Sequence, residues 1–209
     1  MDYREKPDVM NKLASGFFEL IYETMEGENQ LELGKEYLKI VIDRFQSVKI
    51  LGDKTINQLS EQELHWSYNN ESNSIAVIVK HVSGNMVSRW RDFLTTDGEK
   101  ADRNREQEFI DDISGKSDII TYWEKGWKVL FDTLHSLDEL DLIKNISIRG
   151  ENHLVMEAIE RQVAHYAYHV GQIVYIGKQL KGENWESLSI PRGKSEEYLK
   201  EMLKKQKRN

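Results

Sequence analysis

Apolar residues recur at three- and four-residue spacing along most of the 209-residue chain, and strict alternation is rare. That pattern predicts helices throughout. The first long helix is expected from about residue 33 to 59, through EYLKIVIDRFQSVKIL, with Gly52 weakening its later part. Ser60 and Glu63 form a capping-box pattern ahead of a short turn at His65 and Trp66. NNESNS, 69 to 74, reads as a loop whose last serine caps a second helix over about 74–95. A charged stretch without apolar period, TTDGEKADRNREQEF, then predicts a long loop over 95–109. A third helix is expected over about 117–137, carrying Trp123, Trp127, Leu130, Phe131 and Leu134. KNISIRGENH, 144 to 153, reads as an extended connection with a turn at Arg149-Gly150. A fourth helix over about 153–180 stops near Lys181-Gly182. After a loop holding Trp185 and Pro191, a final helix starts near Ser195.

Residues 1–30 are expected to hold one short helix around Phe17, Phe18 and Ile21, as an extension packing on the same domain. The only prolines are Pro7 and Pro191, so no strong helix breaker interrupts the middle of the chain. Four long helices with short-to-moderate connections predict an all-α four-helix bundle over residues 31–209, with short extra helices at both ends.

Composition narrows the chemistry. Cysteine is absent, which excludes disulfides, thiolate metal sites and a cysteine nucleophile. Any metal must be held by histidine, carboxylate or water. No run approaches the roughly 20 apolar residues of a membrane helix, and MDYREKPDVM lacks the apolar segment of a secretory signal. These features predict a soluble, cytoplasmic protein with no membrane partner. A net charge of −7, from 29 basic and 36 acidic residues, argues against nucleic-acid binding.

Two histidines stand four residues apart in HYAYHVGQI, 165 to 173. On a helical wheel His165 and His169 lie about 40° apart, on the stripe that carries Leu154, Ala158, Gln162, Ile173, Ile176 and Leu180. Two ligands of one ion need that spacing. Core histidines hydrogen-bonded to a neighbour such as Gln162 satisfy it equally well. In SIAVIVKHVSGNMVSRW, His81 shares a polar stripe with Ser74, Asn85 and Ser88, at the edge of an apolar arc. Alone it reads as a partly exposed histidine beside a cavity. His65, His135 and His153 fall off these faces and are left outside any metal site.

A histidine on the second helix followed by HxxxH on the fourth resembles the DinB-like superfamily, also called the YfiT-like putative metal-dependent hydrolases. SIAVIVKHVSGNMVSRWRDFLTTDGEKADRNR, RQVAHYAYHVGQIVYIGK and WESLSIPRGKS sharpen the resemblance to one uncharacterised bacterial branch, over about residues 33–195. The resemblance implies up-down-down-up connectivity and one divalent ion, zinc or nickel foremost, on His81, His165 and His169. It also implies a homodimer. Characterised members include thiol S-transferases and a thiol-dependent isomerase.

Three imidazoles leave coordination positions open for water or a low-molecular-weight thiol. The expected function is therefore a metal-dependent small-molecule S-transferase or hydrolase. The alternative is a non-catalytic metal-binding or stress-response module on the same bundle. Asn85, Arg89, Gln162 and Gln172 are candidates to orient ligands or line the substrate pocket, and no carboxylate stands out as a general base. Arg103 and Arg105, with Arg89 and Arg91, form a candidate anion-gathering set, against the simpler expectation of a solvated charged loop with internal ion pairs.

Overall fold

A computed structural model of the protein describes residues 6–206, with side chains from residue 31 onward. Six α-helices and one hairpin organise the described residues: α1 Lys6–Gln58, α2 Glu61–Leu64, α3 Ile75–Trp90, α4 Lys116–Ser136, β1 Asn145–Ile148, β2 Glu151–Leu154, α5 Val155–Lys181 and α6 Ser195–Gln206. The long helices α1, α3, α4 and α5 form the expected bundle. Packing is most extensive between α3 and α4 and between α1 and α5, and α3–α5 and α1–α4 contacts close the ring. No helix among the described residues is long and apolar enough to cross a membrane.

Each bundle helix sends one large aromatic to the centre. Phe45 of α1, Trp90 of α3, Trp127 of α4 and Tyr166 of α5 are essentially inaccessible to solvent. Phe45 meets the other three rings at centroid separations of 6.0 to 6.4 Å. Burying such rings stabilises by about 1.5–3 kcal/mol each, and their edge and tilted contacts add about 0.5–1.5 kcal/mol per pair. One polar relay crosses this cluster. Trp90 Nε1 donates to the Tyr166 hydroxyl at 3.0 Å, and that hydroxyl donates to Asn85 Oδ1 at 3.0 Å.

Local signals explain most boundaries. Ser60 and Glu63 form the full capping box of α2, and Ser74 caps α3 by accepting from the Val77 amide at 3.2 Å. Two expectations are corrected. The short helix expected within residues 1–30 is instead continuous with the first bundle helix, since α1 starts at Lys6 and Pro7 in its first turn breaks nothing. The packing of residues 1–30 lies outside the described side chains. The second helix ends at Trp90 rather than near Thr95, because Arg91 turns extended and Asp92 takes a left-handed φ of 49°. The Asp92 carbonyl then accepts from the Thr95 and Thr96 amides, folding the chain back.

The expected extended connection is a two-stranded antiparallel hairpin, with Ile148 opposite Glu151 and His153 opposite Ile146. Its two-residue turn puts Arg149 at φ 57° and Gly150 at φ 77°, the left-handed pair that a tight hairpin requires. Asp97 clamps this turn to the preceding loop. Its carboxylate accepts from the Ser147 hydroxyl and from the amides of Arg149, Gly150 and Glu99.

The α3–α4 crossing depends on a missing side chain. A Cβ on Gly126 would lie 2.8 Å from Ser83 Cα, so backbone meets backbone there. A Cβ on Gly171 of α5 would have nothing within 4 Å. Gly126→Ala is expected to destabilise the protein by about 1–3 kcal/mol, although alanine is the better helix former. Gly171→Ala should stabilise it by about 0.5–1 kcal/mol. Urea midpoints of the two variants check both signs; equal shifts would remove the close crossing from the account.

Candidate metal centre

α3 is buried nearly all round: among its residues only Gly84 and Val87 are not fully buried. The loop 95–109, rather than solvent, covers the side of α3 that faces away from the bundle centre. His81 is therefore 6% exposed, not the partly exposed residue its wheel position suggests. From α5, His165 and His169 face it. The ligand atoms of His81, His165 and His169 all lie within 4.8 Å of one another.

Each ring is held at one nitrogen by a different partner. His81 Nδ1 meets Glu108 Oε2 at 2.9 Å, His165 Nδ1 meets Gln162 Oε1 at 3.3 Å, and His169 Nδ1 meets Gln172 Oε1 at 3.0 Å. His81 is also stacked on Phe109, at 4.8 Å between centroids. The Nε2 atoms are left to converge, and those of His165 and His169 are 3.1 Å apart. With both Nδ1 atoms donating to amide oxygens, two lone pairs face each other there, an arrangement that a cation between them relieves. Ligands at about 2.0–2.1 Å on a tetrahedral ion sit about 3.3 Å apart, so the donor set fits a divalent metal.

Electrostatics favour the neutral form of the two α5 rings, as ligation requires. Burial, reinforced by His169, His81, Arg103 and Arg89, pushes the His165 imidazole down to about 3. Burial also lowers His169, against the opposing hydrogen bond to Gln172. Burial works to raise the Glu108 carboxyl, but hydrogen bonds from Arg103 and His81 outweigh it and hold the group below the usual range. Arg103 grips that carboxylate with both arms, Nε to Oε1 at 2.7 Å and Nη2 to Oε2 at 2.8 Å. Gly84 makes room for it, since a methyl there would collide with the Glu108 carboxylate.

Beside the histidines opens a pocket of about 170 Å³, lined by His81, His165, Asn85, Gln162 and five arginines: 89, 103, 105, 149 and 161. Asn85, Arg89 and Gln162 are thus among the residues lining the pocket. Gln172 is turned to a neighbouring aromatic groove walled by Trp66, Tyr68, Tyr168 and Tyr175. Arg91 lies elsewhere, paired with Asp102. Most of the loop is solvated and internally ion-paired, as the simpler expectation has it, but the Arg103 side chain is only 4% exposed and paired with Glu108 and Glu99. Glu108, Arg149 and Arg161 were missed. Arg161 was within reach, one turn before His165 on the same face, whereas Glu108 lies 27 residues from His81 with no spacing to betray it. His65 pairs with Asp111 and His153 with Glu157, outside the cluster.

The lowered histidines carry a pH signature. Between about pH 3 and the ordinary histidine value near 6.5, the unfolded chain binds protons that the folded, metal-free protein refuses. Stability therefore falls as pH drops through that window. The urea midpoint of chelator-treated protein should fall from about pH 7 to about pH 5, and fall less in His165→Ala. An unchanged slope in the variant would mean that His165 is not held neutral.

A comparison with curated proteins finds no match. The family described as "Protein of unknown function (DUF1572)", a distant relative of the DinB-like superfamily, matches residues 32–194, most of the chain and all three histidines. The chain belongs to this DUF1572 family.

Proposed function

We propose that His81, His165 and His169 bind one divalent ion, zinc or nickel, and that the protein is a metal-dependent enzyme acting on a small molecule by S-transfer or hydrolysis. The observation that carries this reading is the convergence of three imidazoles, each fixed at its far nitrogen by a separate partner, beside an open pocket that two of them line. Partners of that kind orient metal-binding histidines. A divalent ion held by three histidines supplies a Lewis acid with positions left for substrate, water or a low-molecular-weight thiol, and lowers the pKa of what binds there. The chain supplies no thiol of its own, consistent with a thiol brought in from outside.

The chain's own groups orient and desolvate. Glu108 and Phe109 fix the plane of His81, while Gln162 and Gln172 fix the other two rings. The Tyr166 hydroxyl accepts from Trp90 and so must donate to Asn85 Oδ1. That leaves the Asn85 NH₂ as the group offered to the pocket. The proposed homodimer follows the superfamily resemblance.

One observation favours the alternative, a metal-binding or stress-response module without catalysis. Among the described residues no carboxylate lines the pocket, and Glu108 is committed to Arg103 and His81, so none of them stands in place as a general base. Turnover of a thiol–electrophile or ester panel by zinc- or nickel-loaded protein would decide for the enzyme, and its absence across the panel for the module.

Elemental analysis of untagged protein tests the site itself. Wild type should carry about one divalent ion per chain, and His165→Ala less than about a tenth of that with helical content retained. Gln172→Ala should weaken metal affinity by about 10- to 100-fold. Equal metal content in wild type and His165→Ala would refute the assignment.

A further inference from the structure

The pocket beside the three histidines has an unusual wall. Of the chain's ten arginines five line it, and no lysine among the described residues does. No aspartate or glutamate among the described residues lines it either. The remaining polar groups are amides whose oxygens are already taken, Asn85 by Tyr166 and Gln162 by His165. Apart from the histidines, what faces the cavity is a set of N–H donors with no acceptor among them.

Behind the wall, two carboxylates serve three of the five guanidiniums. Glu99 takes Arg89, Arg103 and Arg149, and Glu108 takes Arg103 again. Among the described residues, Arg105 and Arg161 have no ion-pair partner. Arg89 is 5% exposed and its Nε is buried without a hydrogen-bond partner. A buried donor left unsatisfied is destabilising, and a ligand oxygen in this pocket would answer it. The backbone adds a further sign. Arg149 holds a left-handed φ of 57° where asparagine or glycine is the preferred residue, so an arginine is kept there at a conformational cost.

We propose that this pocket receives the anionic group of a small-molecule substrate, a phosphate or a carboxylate, and presents the adjoining part of that molecule to the three histidines. That the anion belongs to a substrate rests on the metal-centre reading above; that the pocket binds anions does not. Arginine suits the task because its planar fork meets two oxygens at once, whereas lysine offers a point charge. The volume of about 170 Å³ is below the roughly 300 Å³ at which pockets enclose whole drug-sized ligands. It fits a head group, with the rest of the molecule extending outward. With the protein at −7 overall, the selectivity for anions is local to this wall.

The test is calorimetric titration with inorganic phosphate and, separately, malonate, at low ionic strength where screening is weak, on metal-loaded and chelator-treated protein. The variants are Arg149→Asn, which suits the left-handed turn position, and Arg161→Gln, at an exposed site on α5. Arg91→Gln, outside the pocket, is the control. Both wild-type forms should bind one anion per chain, and each pocket variant should weaken binding by about tenfold, with melting temperature and metal content kept. Arg91→Gln should bind as wild type does. The stronger of phosphate and malonate identifies the head group. No binding to either anion, or binding that the pocket variants leave unchanged, would overturn the proposal. Binding seen only with metal and indifferent to Arg149 and Arg161 would overturn it too, by assigning the anion to the ion. If wild type proved metal-free yet bound phosphate through these arginines, the metal-centre reading would fail and this one would stand.

Discussion

The bidentate pair between Arg103 and Glu108 is what the site depends on. Both side chains are almost fully buried, and a buried ion pair is poor evidence of stability, since desolvation consumes most of its attraction. Its value here is positional. It braces the polar loop 95–109 from within, and that loop, which has little apolar surface to bury, is fastened to α3 by Glu108 on His81 and by Ser88 and Arg89 donating to the Gly98 carbonyl. The Glu108 carboxylate then reaches His81 Nδ1, and Phe109 lies on the same imidazole. Losing Arg103 would leave the buried Glu108 carboxylate without its ion-pair partner next to His81. Gly84 belongs to the same arrangement, because any side chain there would push Glu108 away from the helix.

A second clamp ties that loop to the hairpin. Asp97 collects four donors, three of them from the turn region of the hairpin, and this strong solvation of its charge holds the carboxyl far below the usual range. The pocket wall is therefore assembled from α3, the loop, the hairpin turn and α5. Elements far apart in sequence contribute one or two arginines each, and no single segment carries a recognisable basic motif.

That division explains how much was legible in the sequence. Helix positions followed from apolar spacing and caps, and Ser60, Ser74 and Gly182 mark boundaries within a residue or two. The pairing of His165 with His169 followed from periodicity. His81 joined them through resemblance, because its wheel position alone suggests an exposed edge; what hides it is a loop with no apolar pattern. Glu108 and Arg149 were beyond reach for the same reason. Their placement is fixed by long-range hydrogen bonds, not by any local spacing. The early end of α3 was hidden too, since Arg91-Asp92 carries no glycine or proline to mark the break.

The relay from Trp90 through Tyr166 to Asn85 has a consequence for precision. Apolar packing alone tolerates small rotations of one helix against another, because methyl and ring contacts have no preferred direction. A hydrogen-bonded chain with every donor and acceptor assigned does not. Turning α5 by one residue about its axis would swing Tyr166 through about 100° and strand two buried polar groups. His165 is the residue next to Tyr166, so the same step would carry it out of the cluster. The core thus works as an indexing pin: the rotational setting of α5, and with it the aim of two imidazoles, is written into a tyrosine that belongs neither to the histidine cluster nor to the pocket wall.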